Sequence, residues 1–434
     1  MKKKAALHNL GCKVNAYETE AMQQMLEQAG YEIVPFEPGA DVYVINTCTV
    51  TNIADRKSRQ MLHKAKKMNP QAVVAAVGCY VQAAKEELEA DDAIDLVIGN
   101  NKKRDLVQIL EEYEKSQGEE YIIDVNHTSE YENLFISRTA EHTRAYIKVQ
   151  DGCNQFCSYC IIPYTRGRVR SRSIENVLRE VSGLAANGYQ EVVLTGIHLS
   201  SYGIDLGTNL LELILAVHEI SGIRRIRLGS LEPRIITEDF ARTISALPKI
   251  CPHFHLSLQS GCNATLKRMN RRYTAAEYYE KCQLLRKYFQ NPALTTDVIV
   301  GFPGETEEEF QETKEFLEKV QFYETHIFKY SRRKGTRAAV MENQVIDQKK
   351  TERSNLLMAL DRENREKYED ARKGREDEVL FEELVTLDGE AFYTGHTKEY
   401  RKLAILAEED YTNRILKVRV GDERKQGILI CTKF

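Results

Sequence analysis

The chain has 434 residues, 42% of them hydrophobic and 29% charged, with a formal net charge of −4. That length supports two or three domains with real cores, and a charge so close to balance argues neither for nor against a nucleic-acid partner, so local charge has to be read instead. The basic start, MKKKAALHNLGCKVN, has its apolar run broken at His8 and Asn9, and no stretch approaches the roughly 20 apolar residues of a membrane helix. The expectation is a cytoplasmic protein with no membrane association, whose ten cysteines ligate metal rather than form disulfides.

Residues 1–112 alternate strands and helices. Strands are expected at Ala5–Leu10, Asp41–Asn46, Val73–Val77 and Ile94–Ile98, and helices at Asn15–Ala29 and Ala54–Lys67. This is a parallel α/β layout, in which the carboxyl ends of the strands form a ligand crevice. Cys12, Cys48 and Cys79 each follow a strand, and Gly11 and Gly78 supply tight turns before two of them. Three thiols at three strand ends should converge, as a set able to hold a second metal cluster; three unrelated buried cysteines is the plainer alternative. Residues 113–138 read as a connection, with the acidic run EEYEKSQGEE as a solvated helix face and YIIDV as a short strand.

Residues 139–370 resume the alternation. A strand at Ala145–Val149 runs into DGCNQFCSYC, where Cys153, Cys157 and Cys160 have C-x3-C-x2-C spacing. A tight loop of that form can place three thiolates around one face of a cubane cluster and leave the fourth iron open. A zinc knuckle would want a further Cys or His nearby, and the next is His198. Further strands are expected at Glu191–Gly196, Arg224–Leu228, His253–Leu258, Thr296–Val300 and His326–Tyr330. Helices should lie between them at Glu175–Ala186, Leu210–Ile220, Glu238–Leu247, Ala275–Phe289 and Glu307–Val320. That is a partial (βα)6 barrel, short of a closed one and open to a large substrate. Residues 371–434 switch to short strands, Glu378–Leu384, Ala391–His396, Leu403–Leu406, Arg414–Val420 and Gln426–Cys431, which suggests a small β-barrel of a kind that often binds nucleic acid.

The three-cysteine loop, with Tyr159 as the aromatic before its last cysteine, resembles that of radical S-adenosylmethionine (SAM) enzymes. A three-cysteine α/β domain, a radical SAM barrel and a C-terminal barrel like the TRAM domain of tRNA-modifying enzymes together resemble the methylthiotransferases. LGCKVNAYETEAM, NTCTVTNIADRKSRQ, IIPYTRGRVRSR, HLSLQSG, RMNRRYT and GFPGET are similar to the bacterial subfamily acting on N6-threonylcarbamoyladenosine at position 37 of tRNA. The alternatives left open are an isopentenyladenosine or ribosomal-protein aspartate substrate and, in another class, an iron–sulfur RNA-binding protein without catalysis.

The resemblance implies a transferase with SAM and two 4Fe–4S clusters: Cys153, Cys157 and Cys160 for SAM cleavage, and Cys12, Cys48 and Cys79 for the cluster that carries the sulfur. It also implies tRNA, a flavodoxin- or ferredoxin-type electron donor and a sulfur source as partners. Strand-end residues Gly196, Glu232, Ser257 and Gln259, with Tyr159, are candidates to contact SAM. Basic runs follow the cluster loop (Arg166, Arg168, Arg170, Arg172), the fourth strand (Lys267, Arg268, Arg271, Arg272) and the sixth (Lys329, Arg332, Arg333, Lys334, Arg337). Arg166, Arg168, Arg268, Arg271, Arg332 and Arg333 are the candidates for substrate contact, either to phosphates or, for Arg166 and Arg168, to the threonyl carboxylate. On the C-terminal barrel the expected tRNA contacts are Arg401, Lys402, Lys417, Arg419, Arg424 and Lys425.

Overall fold

The structure is a computed structural model that describes residues 2–115, 122–139 and 143–434. The first sheet is built from β1 (Lys4–Asn9), β2 (Glu32–Ile33), β3 (Val42–Thr47), β4 (Val73–Gly78) and β5 (Leu96–Ile98). Its order is β2-β1-β3-β4-β5 with every pair parallel. Helices α1 (Lys13–Gln28), α2 (Asn52–Met68), α3 (Cys79–Ala83), α4 (Lys85–Glu89) and α5 (Leu106–Lys115) complete the unit. The run VYVINT of β3 is buried at every position, as a central parallel strand covered on both faces must be. Thr51 caps α2 through its side chain on the Ala54 N–H, and Lys66 and Lys67 sit in the last turn, where cations are favoured.

The expected strand at YIIDV is not formed over residues 122–125, and Tyr121 lies outside the described residues, as do residues 116–120 of the acidic run. Side chains from other elements hold this segment instead. Gln82 Nε2 donates to the Ile123 carbonyl at 2.9 Å. Further along the connection, its own Tyr131 Oη donates to the Lys148 carbonyl of β6 at 2.7 Å.

The second unit holds parallel strands β6 (Arg144–Asp151), β8 (Glu191–Gly196), β9 (Arg225–Leu228), β10 (His253–His255), β11 (Ala293–Val300) and β12 (Glu324–Lys329), with a short antiparallel β7 (Arg170–Ser171) beside β6. Bridges Ile226↔Ile250 and Leu231↔Leu256 carry the sheet from β9 to β10. The strand expected over His253–Leu258 stops at His255, and beyond it Gln259 adopts a left-handed backbone (φ 75°). The short α6 (Ile162–Thr165) follows the cysteine loop and packs against α3 of the first unit, while α7 (Ile174–Ala186), α8 (Leu210–His218), α9 (Glu238–Ser245), α10 (Asn263–Arg268), α11 (Ala275–Tyr288) and α12 (Glu307–Val320) alternate with the strands, followed by α13 (Asp347–Asp370). Thr306 and Glu309 close a reciprocal capping box at the start of α12. Tyr17 and Ala21 of α1 belong to this barrel's hydrophobic core, so the two units share packing.

The C-terminal strands β13 (Glu376–Leu387), β14 (Glu390–Thr397), β15 (Lys402–Leu406), β16 (Ile415–Lys425) and β17 (Ile428–Lys433) close into a barrel ordered β13-β14-β15-β17-β16. This barrel plugs the amino-terminal mouth of the (βα)6 sheet. Arg225 donates to the carbonyls of His396 (2.9 Å) and Glu378 (2.8 Å), and Arg227 to that of Lys398 (2.9 Å). The Tyr400 ring stacks between His253 and His396, with centroids 5.0 and 4.5 Å away, under the guanidinium groups of Arg144 and Arg227.

Candidate active site between two cysteine sets

Parallel strands deliver Cys12, Cys48 and Cys79 to the same edge of the first sheet. Cys12 precedes α1 as its N-cap, and Cys79 opens α3. A Cβ added to Gly11 (φ 107°) would lie 2.9 Å from Cys48 Sγ, so the Cys12 turn rests directly on Cys48. Donors are aimed at Cys79 Sγ: Arg166 Nε at 3.1 Å and Asn100 Nδ2 at 3.7 Å.

The second set sits on the loop after β6. Gly152 (φ 72°) makes the turn, where a Cβ would collide with the Arg168 carbonyl at 1.8 Å. Arg271 donates to Cys157 Sγ at 3.3 Å and the Gln155 N–H to Cys153 Sγ at 3.5 Å. Asn270, also left-handed (φ 61°), donates to the Phe156 carbonyl at 2.9 Å and fixes the loop from below. Burial pushes the Cys48 and Cys153 thiols up to about 11 and the Cys160 thiol to about 12. Metal ligation therefore has to displace protons, and the N–H and guanidinium donors are the groups that favour thiolate.

Between the sets lies a buried ionic network. Glu18 meets Lys148 (2.7 Å), Lys103 (3.2 Å) and Arg166 (2.8 Å). Asp151 meets Lys148 (2.6 Å) and Arg166 (3.2 Å), and Arg166 also reaches Asn15 Oδ1 at 2.7 Å. With Arg170 4.0 Å from Asp151, four cations face two carboxylates here, and Arg166 directs the surplus at Cys79. Such a site suits a sulfur ligand that carries negative charge. Although desolvation opposes it, the surrounding Lys148 and Arg166 charges hold the Asp151 carboxyl below its ordinary range.

A cleft of about 260 Å3 opens between the sets, lined by Val50 and Thr51 beside Cys48, by Tyr159 and Cys160, and by Gln259 and Asp297 from the barrel. Of the residues expected to contact SAM, Tyr159 and Gln259 line this cleft. Gly196 ends β8 against Gln150, and any Cβ there would meet the Gln150 side chain at 2.9 Å. Glu232 is buried and bonded to Arg234 Nε at 2.7 Å, and the Ser257 carbonyl takes Tyr273 Oη at 2.6 Å.

The arginine expectations need correction. Arg166 is fully buried in the network above and cannot reach a substrate. Arg170 and Arg172 are buried too, and only Arg168 of that run is exposed, lying over the Phe156 ring. Arg333 is buried against the Cys48 loop, bonded to Thr49 Oγ1 (2.6 Å) and Asn52 Oδ1 (2.9 Å) and paired with Asp55. Arg271 serves Cys157, and Arg268 is paired with Glu309. Arg332 stays exposed. On the C-terminal barrel, Arg401 is buried with Asp377, Arg424 is bound to Glu369 and Asp370 on α13, and Lys402 and Lys425 pair with Glu383 and Glu390. Lys417 and Arg419 remain exposed on β16.

Sequence reasoning assigned no site role to Asn15, Glu18, Lys148, Asp151 or His198. Glu18 was findable, because it falls on the helical face of Val14, Tyr17, Ala21 and Met22, where a carboxylate requires a partner. His198 is held neutral: burial lowers it to about 4, against the pull of Glu232.

A partial parallel barrel with a three-cysteine loop at the carboxyl end of its first strand defines a radical SAM enzyme. A family model described as "Radical SAM superfamily" matches residues 147–317, and one described as "Uncharacterized protein family UPF0004" matches residues 4–99. The chain is 41% identical, over 96% of its length and 93% of the relative's, to a threonylcarbamoyladenosine tRNA methylthiotransferase of Bacillus subtilis. It is 37% identical, over 94% of each chain, to a tRNA-2-methylthio-N(6)-dimethylallyladenosine synthase of Moorella thermoacetica. Among solved structures, the radical SAM methyltransferase TsrM from Kitasatospora setae superposes with a TM-score of 0.58 at 14% identity, over 78% of this chain and 77% of that one, a likeness of fold. The chain belongs to the radical SAM methylthiotransferase family. Its cofactors are SAM and two 4Fe–4S clusters, and the two cysteine sets, each with three sulfur donors and N–H groups aimed at sulfur, fit that pair. No described helix is long and apolar enough to cross a membrane.

Proposed function

We propose that this protein methylthiolates C2 of N6-threonylcarbamoyladenosine at position 37 of tRNA. The observation that carries the reading is the single cleft bordered by both cysteine sets, the Cys48 loop on one wall and Cys160 on the other. Such a cleft lets one bound base face both the radical source and the sulfur donor. The clusters and SAM supply the one-electron chemistry that an unactivated aromatic C–H demands. The chain's own residues hold the two loops in register through Glu18, Asp151 and Arg166, and through Arg333 clamped on the Cys48 loop.

The threonylcarbamoyl choice is supported by the 41% identity to the threonylcarbamoyladenosine methylthiotransferase against 37% to the dimethylallyladenosine synthase, and by the polarity of the barrel lumen. Lys13, next to Cys12, is solvent-accessible yet flanked by protein, and burial with the nearby Arg227 and Arg144 lowers it to about 8. It makes no ion pair among the described residues, and a free ammonium beside Cys12 suits a carboxylate and not an isopentenyl chain. Exposed Arg168, Lys267, Arg272, Arg332 and Lys334, with Lys417 and Arg419 on the C-terminal barrel, are cations available to meet phosphates. An electron donor of the flavodoxin or ferredoxin type and a sulfur source complete the requirements.

The test offers the purified, reconstituted enzyme two tRNAs, one bearing the threonylcarbamoyl group and one the isopentenyl group, and reads nucleosides by mass spectrometry. Conversion confined to the first is expected. Equal conversion of both, or preference for the second, would overturn the assignment.

A further inference from the structure

Three neighbouring barrel strands place His255 (β10), Asp297 (β11) and His326 (β12) on the lumen face. Asp297 stands directly opposite His326 in the register, and His255 pairs with Thr295 two residues before Asp297. Their ligand atoms all lie within 4.8 Å of one another.

The hydrogen bonding around the group leaves it prepared for a ligand. His255 Nδ1 is 3.0 Å from Thr295 Oγ1, an outer contact that fixes the imidazole and turns Nε2 toward the carboxylate. His255 Nε2 lies 3.2 Å from Asp297 Oδ2, yet the angle is not that of a hydrogen bond, and Nε2 is buried without a hydrogen-bond partner among the described residues. The two imidazoles stack at 5.7 Å with 22° between their planes, and the His326 ring makes no hydrogen bond among the described residues. An imidazole nitrogen held 3.2 Å from a carboxylate with no hydrogen bond between them is placed as two ligands of one cation would be.

We propose that His255, Asp297 and His326 bind one divalent transition-metal ion, zinc or ferrous iron, separate from both cysteine sets. Two imidazoles and one carboxylate suit these borderline cations, and three protein ligands leave coordination positions open. Those positions face the cleft that Asp297 lines together with Gln259 and Tyr159. Water or an oxygen donor of a bound substrate completes the shell there. This inference goes beyond the methylthiotransferase reading and does not need it.

The test uses the anaerobically prepared holoenzyme, dialysed free of loosely held metal and titrated with zinc chloride. Bound zinc and retained iron are both measured by elemental mass spectrometry, so exchange of zinc into the cysteine sites shows as lost iron. The wild type is expected to bind one zinc more than His326→Ala at unchanged iron. Losing this ligand should weaken binding by at least about tenfold. His326 is exposed on an edge strand, so its replacement spares the fold, and His326→Cys, which returns a zinc ligand, should restore the count. Asp297→Asn should bind as weakly as His326→Ala. Equal zinc in the wild type and His326→Ala, or no zinc retained by the wild type at about tenfold molar excess, would overturn the site.

Discussion

Replacing Arg166 with alanine tests how the two cysteine sets are held together. The guanidinium is fully buried and serves Glu18, Asp151, Asn15 and Cys79 at once, at 2.8, 3.2, 2.7 and 3.1 Å. Its loss leaves the two carboxylates with Lys148, Lys103 and the more distant Arg170, 4.0 Å from Asp151. Removing one partner from a buried pair costs about 3–5 kcal/mol, because the survivors stay desolvated. For a cooperative unit of roughly 150–250 residues, each kcal/mol moves the midpoint by about 2–4 °C, so a fall of about 6–20 °C is expected. Cys79 also loses its charged donor, so iron content should drop toward half, as it should in Cys79→Ala. The assay is anaerobic thermal scanning with iron analysis on the same samples, and exposed Arg168→Ala is the control, expected within about 0.5 kcal/mol of the wild type. A wild-type midpoint and full iron in Arg166→Ala, with binding lost only for modified tRNA, would refute the reasoning and return Arg166 to the substrate.

The neutral His198 makes stability pH-dependent: its pKa falls from 6.5 unfolded to about 4 folded, so the unfolded chain takes up the proton first. Stability from this group is complete above pH 6.5 and declines as pH falls toward 4, with about 2 kcal/mol gone by pH 5. Denaturant titrations at pH 7.5 and 5 should show a smaller loss in His198→Gln, and identical pH slopes would count against the buried neutral imidazole. Tyr400→Ala removes a partly buried ring stacked on His253 and His396, at a cost of about 1–3 kcal/mol. Limited proteolysis should then cut the C-terminal barrel from the core sooner; an unchanged digestion rate would show that other contacts hold the plug.

Much of the architecture was legible because it rests on local periodicity. The helix at Glu307–Val320 matches its expected bounds, since a capping Thr306 and an apolar stripe are both sequence features. The strand-end placement of Cys12, Cys48 and Cys79 followed from parallel β-strands, which bring successive carboxyl ends to one edge. YIIDV looked equally like a strand, but residues 122–125 form no strand pairing and are tied by side chains instead.

Composition and spacing by themselves determined the alternating elements, the two cysteine sets and the switch to short strands at the C-terminus, because each of those is written in contiguous residues. Which charges remain free was decided only by tertiary structure. Arg166 and Arg168 are two residues apart in one basic run, yet one is buried and the other exposed. The difference comes from Glu18, on a helix of the other unit, which supplies the counter-charge that makes burial tolerable. The same holds for Arg333 against Asp55 and for His255 with Asp297 and His326. A charge's fate depends on what packs over it, and that partner lies far along the chain.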